Sequence, residues 1–242
     1  MQIHARIVVS ALVLIGCVSP QAAHSQDLQP AGVIIENVRI FDGTSNRLSA
    51  PTNVLVVGNL IKAISAAPIA DPPATAVTRI PGGGRTLMPG LIDNHVHLFM
   101  SGSTEHDLID PGVSIDTLQA RAAEVAKQML LRGFTAARDV GGPVFDLKRS
   151  IDQGKTVGPR IYPSGAMISQ TSGHGDSRLP SERSRRFGGT VSRGELMGAN
   201  FIADGRDEVL TATRENLRAG ASQIKVMAGG GAASVYDPLD VT

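Results

Sequence analysis

Hydrophobic and polar positions divide the chain into three stretches of different rhythm. The first is one apolar run, Ile7 to Val18, behind a weakly basic start at Met1 to Arg6. It is too short to cross a bilayer as a helix and suits the core of a signal peptide. Ala23-His24-Ser25 offers a small-x-small cleavage site, so residues 1–25 read as a leader and 26–31 as a linker. A second reading stays open. Leu14-Ile15-Gly16-Cys17 resembles the bacterial lipobox, in which Cys17 is lipidated and becomes the new N-terminus. Both readings predict an exported protein, periplasmic or secreted, with a membrane partner only if Cys17 carries lipid. Cys17 is the single cysteine, so no intrachain disulfide forms.

The second stretch has short β-rich runs divided by turn residues. Val33 to Phe41 reads as a strand ending at Asp42-Gly43. Val54 to Val57 and Leu60 to Ser65 flank Gly58-Asn59, the spacing of a hairpin. Val77 to Ile80 is a further strand. Gly82-Gly83-Gly84 reads as a flexible turn, because it lacks the Lys-Ser/Thr of a phosphate loop. Residues 32–88 are therefore expected to form a small, β-sandwich-like domain.

After Pro89-Gly90, strand and helix patterns alternate. Leu91 to His97 is a strand candidate. Ser114 can cap a helix to Leu131 whose apolar face is Leu118, Ala122, Val125 and Met129, with Gly133 as its stop. Phe134 to Arg138 is the next strand. Pro143 suits a helix start, and Val144, Leu147 and Ile151 share a face before Gly154. Arg160 to Ile168 is a third strand and 169–205 a long polar connection. Asp204 can cap a helix over about 206–218, and Gln223 to Ala228 is a fourth strand. Four βα repeats predict an α/β fold, a parallel sheet with helices outside. Pro89 to Thr242 falls well short of the roughly 250 residues of a closed (β/α)8 barrel of the TIM type. The expectation is the first four units of such a barrel, incomplete in this chain.

Composition changes this picture little. Of the 242 residues 42% are hydrophobic, enough for a packed core, but aromatics are 3% and Trp is absent, so aliphatics and Met must fill it. A net charge of +1 argues against a general nucleic-acid binder.

Candidate chemistry lies at strand ends. His95 and His97 are two apart on a strand, so both imidazoles point to one side and can share a metal ion, with Asp93 one step below. The alternative is a pair of structural histidines. Lys225 sits between Ile224 and Val226 in a strand expected to be buried on both faces. Desolvation there favours a neutral amine, able to take up CO₂ as a carbamate. The alternative is a salt bridge. His174, in Ser172-Gly173-His174-Gly175-Asp176, reads as either a substrate contact or a solvated loop histidine. Asp139 ends the second strand and could face the site, cap a helix or join an ion pair. Arg178, Arg183, Arg185, Arg186 and Arg193 make the long connection basic, as a lid for carboxylates or a plain solvated loop.

LMPGLIDNHVH, GFTAARDVGG, SQTSGHGD and ADGRDEVLTATRENLRAGASQIKVMAGGG, in that order, resemble the amidohydrolase superfamily. The nearest branch is that of prolidase-like and imidazolonepropionase-like hydrolases, which includes ochratoxin-cleaving amidases. The resemblance implies a hydrolase of amide or peptide-like bonds with two divalent cations, usually zinc. His95 and His97 would bind one cation, and Lys225, carboxylated, would bridge both. His174 would contact substrate, a dipeptide or N-acyl amino acid. Further histidines on strands five and six and a general-base aspartate on strand eight complete the family's set. None of these is within the 242 residues, so no catalytic base is assigned here, and a catalytically dead fragment is the alternative. A lactonase or phosphotriesterase on the same scaffold is a second alternative. A homo-oligomer of half-barrels stays open.

Overall fold

The computed structural model describes residues 31–73 and 75–228, so the leader and lipobox readings lie outside the described residues. Among the described residues no helix is long and apolar enough to cross a membrane. The chain divides into two compact units, residues 1–88 and 89–242.

The first unit is one mixed five-stranded sheet. It comprises β1 (Gly32–Ile40), β2 (Thr52–Val57), β3 (Leu60–Ser65), β4 (Val77–Pro81) and β5 (Thr86–Leu87). The order is β3-β2-β1-β4, with β5 also on β1. β2 and β3 form the expected antiparallel hairpin, and Gly58 at its tip has φ +60°. The expected sandwich-like pairing of sheets is corrected to this single sheet. β1 is long enough to carry β4 along its first residues and β5 on Arg39 and Ile40, past a bulge at Asn37. Nor is the glycine run a loose turn. Gly82 and Gly84 donate to the carbonyls of Glu36 and Asn37, at 2.6 and 2.7 Å.

The second unit holds parallel strands with helices between them. β6 (Leu91–Val96), β7 (Phe134–Asp139) and β8 (Arg160–Pro163) form one parallel sheet, β6-β7-β8. Short helices α1 (Leu98–Ser101) and α2 (Glu105–Ile109) follow β6, and α3 (Ile115–Leu131) leads to β7. Ser114 caps α3 as expected, accepting from the Thr117 amide. Leu118, Ala122, Ala126 and Met129 are its buried residues. They pack with Ala137, Ile161, Leu98 and Phe99 and with Val144 and Leu147, which flank and enter α4 (Phe145–Asp152). Apolar burial at these spacings is what holds helices to a sheet.

The expected third strand is broken in two. After β8 the chain leaves the ladder at Ser164-Gly165-Ala166, and β9 (Met167–Ser169) belongs to a second parallel sheet, β10-β9-β11. Gly165 has φ +75°, and a Cβ there would lie 2.5 Å from Asn216 Oδ1. Asn216, buried in α6 (Arg206–Ala219), accepts from Ala166 N at 3.0 Å and donates to Ala166 O at 2.8 Å. A side-chain amide thus satisfies the backbone where the ladder stops.

The expected polar connection also holds structure: a 3₁₀ turn (Arg185–Phe187), α5 (Arg193–Leu196) and β10 (Asn200–Ile202). Gly205, not Asp204, is the N-cap of α6. The expected fourth strand shortens to β11 (Val226–Met227), parallel to β9.

Candidate metal centre

His97 follows the last residue of β6 and is the N-cap of α1. Its ring lies edge-on to that of His95, with centroids 5.5 Å apart. The strand therefore brings the two imidazoles together, His95 exposed and His97 half-buried. Asp93 is not with them. β6 pairs Asp93 with Ala137 and Val96 with Asp139, so an extra residue is accommodated between these pairs. Ala137 and Asp139 are two apart and share a face, which puts Asp93 on the Val96 side. Its Oδ1 accepts from the His95 amide at 3.0 Å.

Burial pushes the His97 imidazole below its usual range, and positive charge on His95 and Lys225 adds to this, opposed by the Gly141 backbone. Among the described residues, His97 Nδ1 is buried against the Gly141 backbone and makes no well-formed hydrogen bond. The adjacent Gly141 N–H is spent on Asp139 Oδ1, at 3.2 Å. A neutral imidazole with a buried nitrogen in no well-formed hydrogen bond, beside a second imidazole, suits a metal ligand. Among the described residues no three His, Cys, Asp or Glu side chains gather around a common point.

Lys225 is near enough for its charge to act on His97. It is half-buried, not enclosed on both faces as expected, because β11 begins only at Val226. Its carbonyl accepts from Ile168 N at 2.9 Å, which ties it to β9.

His174 is half-buried in the loop after β9. That loop is tightly held. Gly175 N donates to Ser169 Oγ at 3.0 Å, and Asn200 Nδ2 donates to the Gly175 carbonyl. A Cβ on Gly175 would stand 2.9 Å from Met227 Sδ, so the loop backbone touches β11 itself. Arg178 clamps Asp176 through Nε and Nη2 at 2.7 and 2.5 Å, a nearly buried pair that holds the Asp176 carboxyl low against its desolvation. Asp204 closes the loop base by accepting from Thr171 N and Oγ1.

The arginines of the long connection are mostly committed. Arg185 pairs with Glu195 and Arg186 with Glu208, while Arg193 donates to the carbonyls of Leu108 and Val113. Asp139 faces neither a cation nor open solvent. It is fully buried and accepts from Leu98 N at 2.8 Å, the first amide of α1. Sequence reasoning passed over Gly141, whose signal was the Gly141-Gly142 pair directly after the strand. A Cβ on Gly141 would sit 2.6 Å from Met167 Sδ and 3.1 Å from His97 Nδ1.

Two concavities lie elsewhere in this unit. One of about 610 Å³ is lined by Arg186, Asp204, Glu208 and neighbours. One of about 1110 Å³ is lined by Ile92, Asn94, Arg138, Arg160 and Tyr162 among others. Neither includes His95, His97 or Lys225.

Residues 86–242 match the Amidohydrolase family. The chain belongs to that family. The ochratoxinase of Aspergillus niger is 40% identical over 157 residues, 62% of this chain and 32% of that protein. Among solved amidohydrolase relatives, a prolidase complexed with N-methylphosphonate-L-proline superposes with a TM-score of 0.75 at 31% identity, over 88% of this chain and 50% of its own. The crystal structure of the A. niger ochratoxinase gives a TM-score of 0.66 at 28% identity, over 87% of this chain and 49% of its own. This amidohydrolase chain thus spans about a third of its curated relative and about half of the solved structures.

Proposed function

We propose that residues 89–242 are the first half of a (β/α)8 barrel and that the whole protein is a metal-dependent hydrolase of amide or peptide-like bonds. Support comes from the family match, the ochratoxinase and prolidase relatives, and the parallel strands with interleaved helices. The single observation that carries the metal reading is His97, an imidazole kept neutral by burial, with a buried Nδ1 that makes no well-formed hydrogen bond, against the ring of His95.

His95 and His97 would hold one divalent cation, zinc by preference for imidazole donors. Lys225 would supply the bridge to a second cation. It would do so as a carbamate, formed when the lysine nitrogen, having given up its proton to water, adds to CO₂ and one further proton leaves to water. When bound, the cations supply Lewis-acid polarisation of a carbonyl and acidify a water. His174, held by the Ser169, Asn200 and Asp204 contacts around its loop, would orient a substrate carboxylate, as in a dipeptide or N-acyl amino acid. The apolar run 7–18 and Ala23-His24-Ser25 support export to the periplasm or beyond.

The test loads the purified protein with zinc and offers dipeptides, N-acyl amino acids, lactones and phosphotriesters. Expected are bound zinc, a drop of tenfold or more in zinc affinity in His97→Ala, and chelator-sensitive release of free amine. Turnover of lactones or phosphotriesters alone would overturn the amide assignment. Zinc affinity equal in wild type and His97→Ala would overturn the metal assignment.

A further inference from the structure

Asp139 lies at the end of β7 and is fully buried, yet among the described residues it has no cationic partner. Its two carboxylate oxygens are used separately. Oδ2 receives the Leu98 amide at 2.8 Å, and Leu98 directly follows His97. Oδ1 receives the Gly141 amide at 3.2 Å. Gly141 is the residue whose Cα lies against His97 Nδ1, so close that a methyl group there would stand 3.1 Å from that nitrogen. The same side chain therefore grips the backbone on which His97 is mounted and the backbone against which its ring rests. Asp139 is itself anchored, since its carbonyl accepts from Ser164 N at 2.9 Å and from Gln223 Nε2 at 3.1 Å. These bonds link β6, β7, β8 and the segment that leads to Lys225.

We infer that Asp139 is a positioning residue for His97, fixing the orientation of its imidazole by bracing Leu98 and Gly141 together. The role needs two acceptors on one short side chain. A carboxyl group offers both, since each of its oxygens keeps a lone pair in either protonation state. An amide of the same shape offers one acceptor and a second N–H, which meets an N–H donor head-on. Asp139→Asn therefore preserves volume but releases one of the two braced amides. This inference rests on the metal reading above only for its consequence, because the orientation itself is a property of the metal-free chain.

The experiment follows the His95 and His97 imidazole ¹⁵N resonances in the metal-free 242-residue chain, wild type and Asp139→Asn, and then titrates zinc into each. Expected is a change in the His97 ring shifts in the variant with His95 little affected, and zinc affinity lowered tenfold or more. Unchanged His97 shifts in Asp139→Asn would overturn the positioning role, whatever zinc does. Altered His97 shifts in Asp139→Asn, with a wild type that takes up no zinc, would leave the positioning role standing and remove the metal reading. If Asp139→Asn does not fold, hydrogen exchange of wild type decides. Leu98 and Gly141 amides exchanging together and slowest at the strand ends support the brace, and independent or rapid exchange of either overturns it.

Discussion

At the residue scale, buried Asp139, which accepts from the amide directly after His97, and half-buried His97 shift in ways that oppose each other in stability. Burial raises the Asp139 carboxyl from 3.8 to about 7, although the Leu98 and Gly141 amides pull it down. Between those values the folded chain binds more protons than the unfolded one, so this group's stabilisation is fully present below about 3.8 and is lost as pH rises to about 7. The amount at stake is on the order of 4 kcal/mol. His97 works the other way. Its folded value lies below 6.5, so below that pH the unfolded chain takes up the proton first and stability falls with acid. Urea midpoints of wild type, compared with Asp139→Asn from pH 4 to 7, should fall more steeply with rising pH. Parallel profiles would show that Asp139 titrates normally in the fold.

At the scale of elements, the break between β8 and β9 depends on a helix fifty residues away. Asn216→Ala leaves Ala166 N and O buried without their partners. A loss of about 2–5 kcal/mol is expected in denaturant unfolding, from two unsatisfied backbone groups. A change below about 0.5 kcal/mol would mean that the break is held by Gly165 alone. The legibility of elements divides along the same line. β1, the β2–β3 hairpin, β6, β7 and α3 follow local period and turn chemistry, and Ser114 caps where its spacing to Thr117 says it should. The α3 face is the expected one with Ala126 added, Val125 packing against the core partly buried. β10 was missed because three residues in a polar stretch carry no period. Asp204 looked like a cap for α6 but is held by Thr171, 33 residues away, a contact no local pattern contains. In the site, the His95/His97 pairing was legible from a two-residue repeat, whereas the bulge that turns Asp93 away was not.

At the scale of the whole molecule, among the described residues of the second unit nothing covers one face of the β6-β7-β8 sheet. Register places Ile92, Ala136, Arg138, Arg160 and Tyr162 on it, with Ile92 63% and Tyr162 44% exposed. Parallel sheets are ordinarily covered on both faces. Concentration-dependent self-association is expected in analytical ultracentrifugation, weakened by Ile92→Lys. A wild-type chain that sediments as a monomer at every loading would contradict it. The sequence by itself determined β1, the β2–β3 hairpin, β6, β7, α3 and the pairing of His95 with His97, because period, caps and turn residues act within a few positions. Tertiary structure alone decided where β8 ends, how deeply Lys225 is enclosed, and that Asp139 serves Leu98 and Gly141 instead of a cation. Those outcomes depend on which distant backbone groups are left unsatisfied once the sheet and helices have packed, and that is a property of the packing and not of the spacing along the chain.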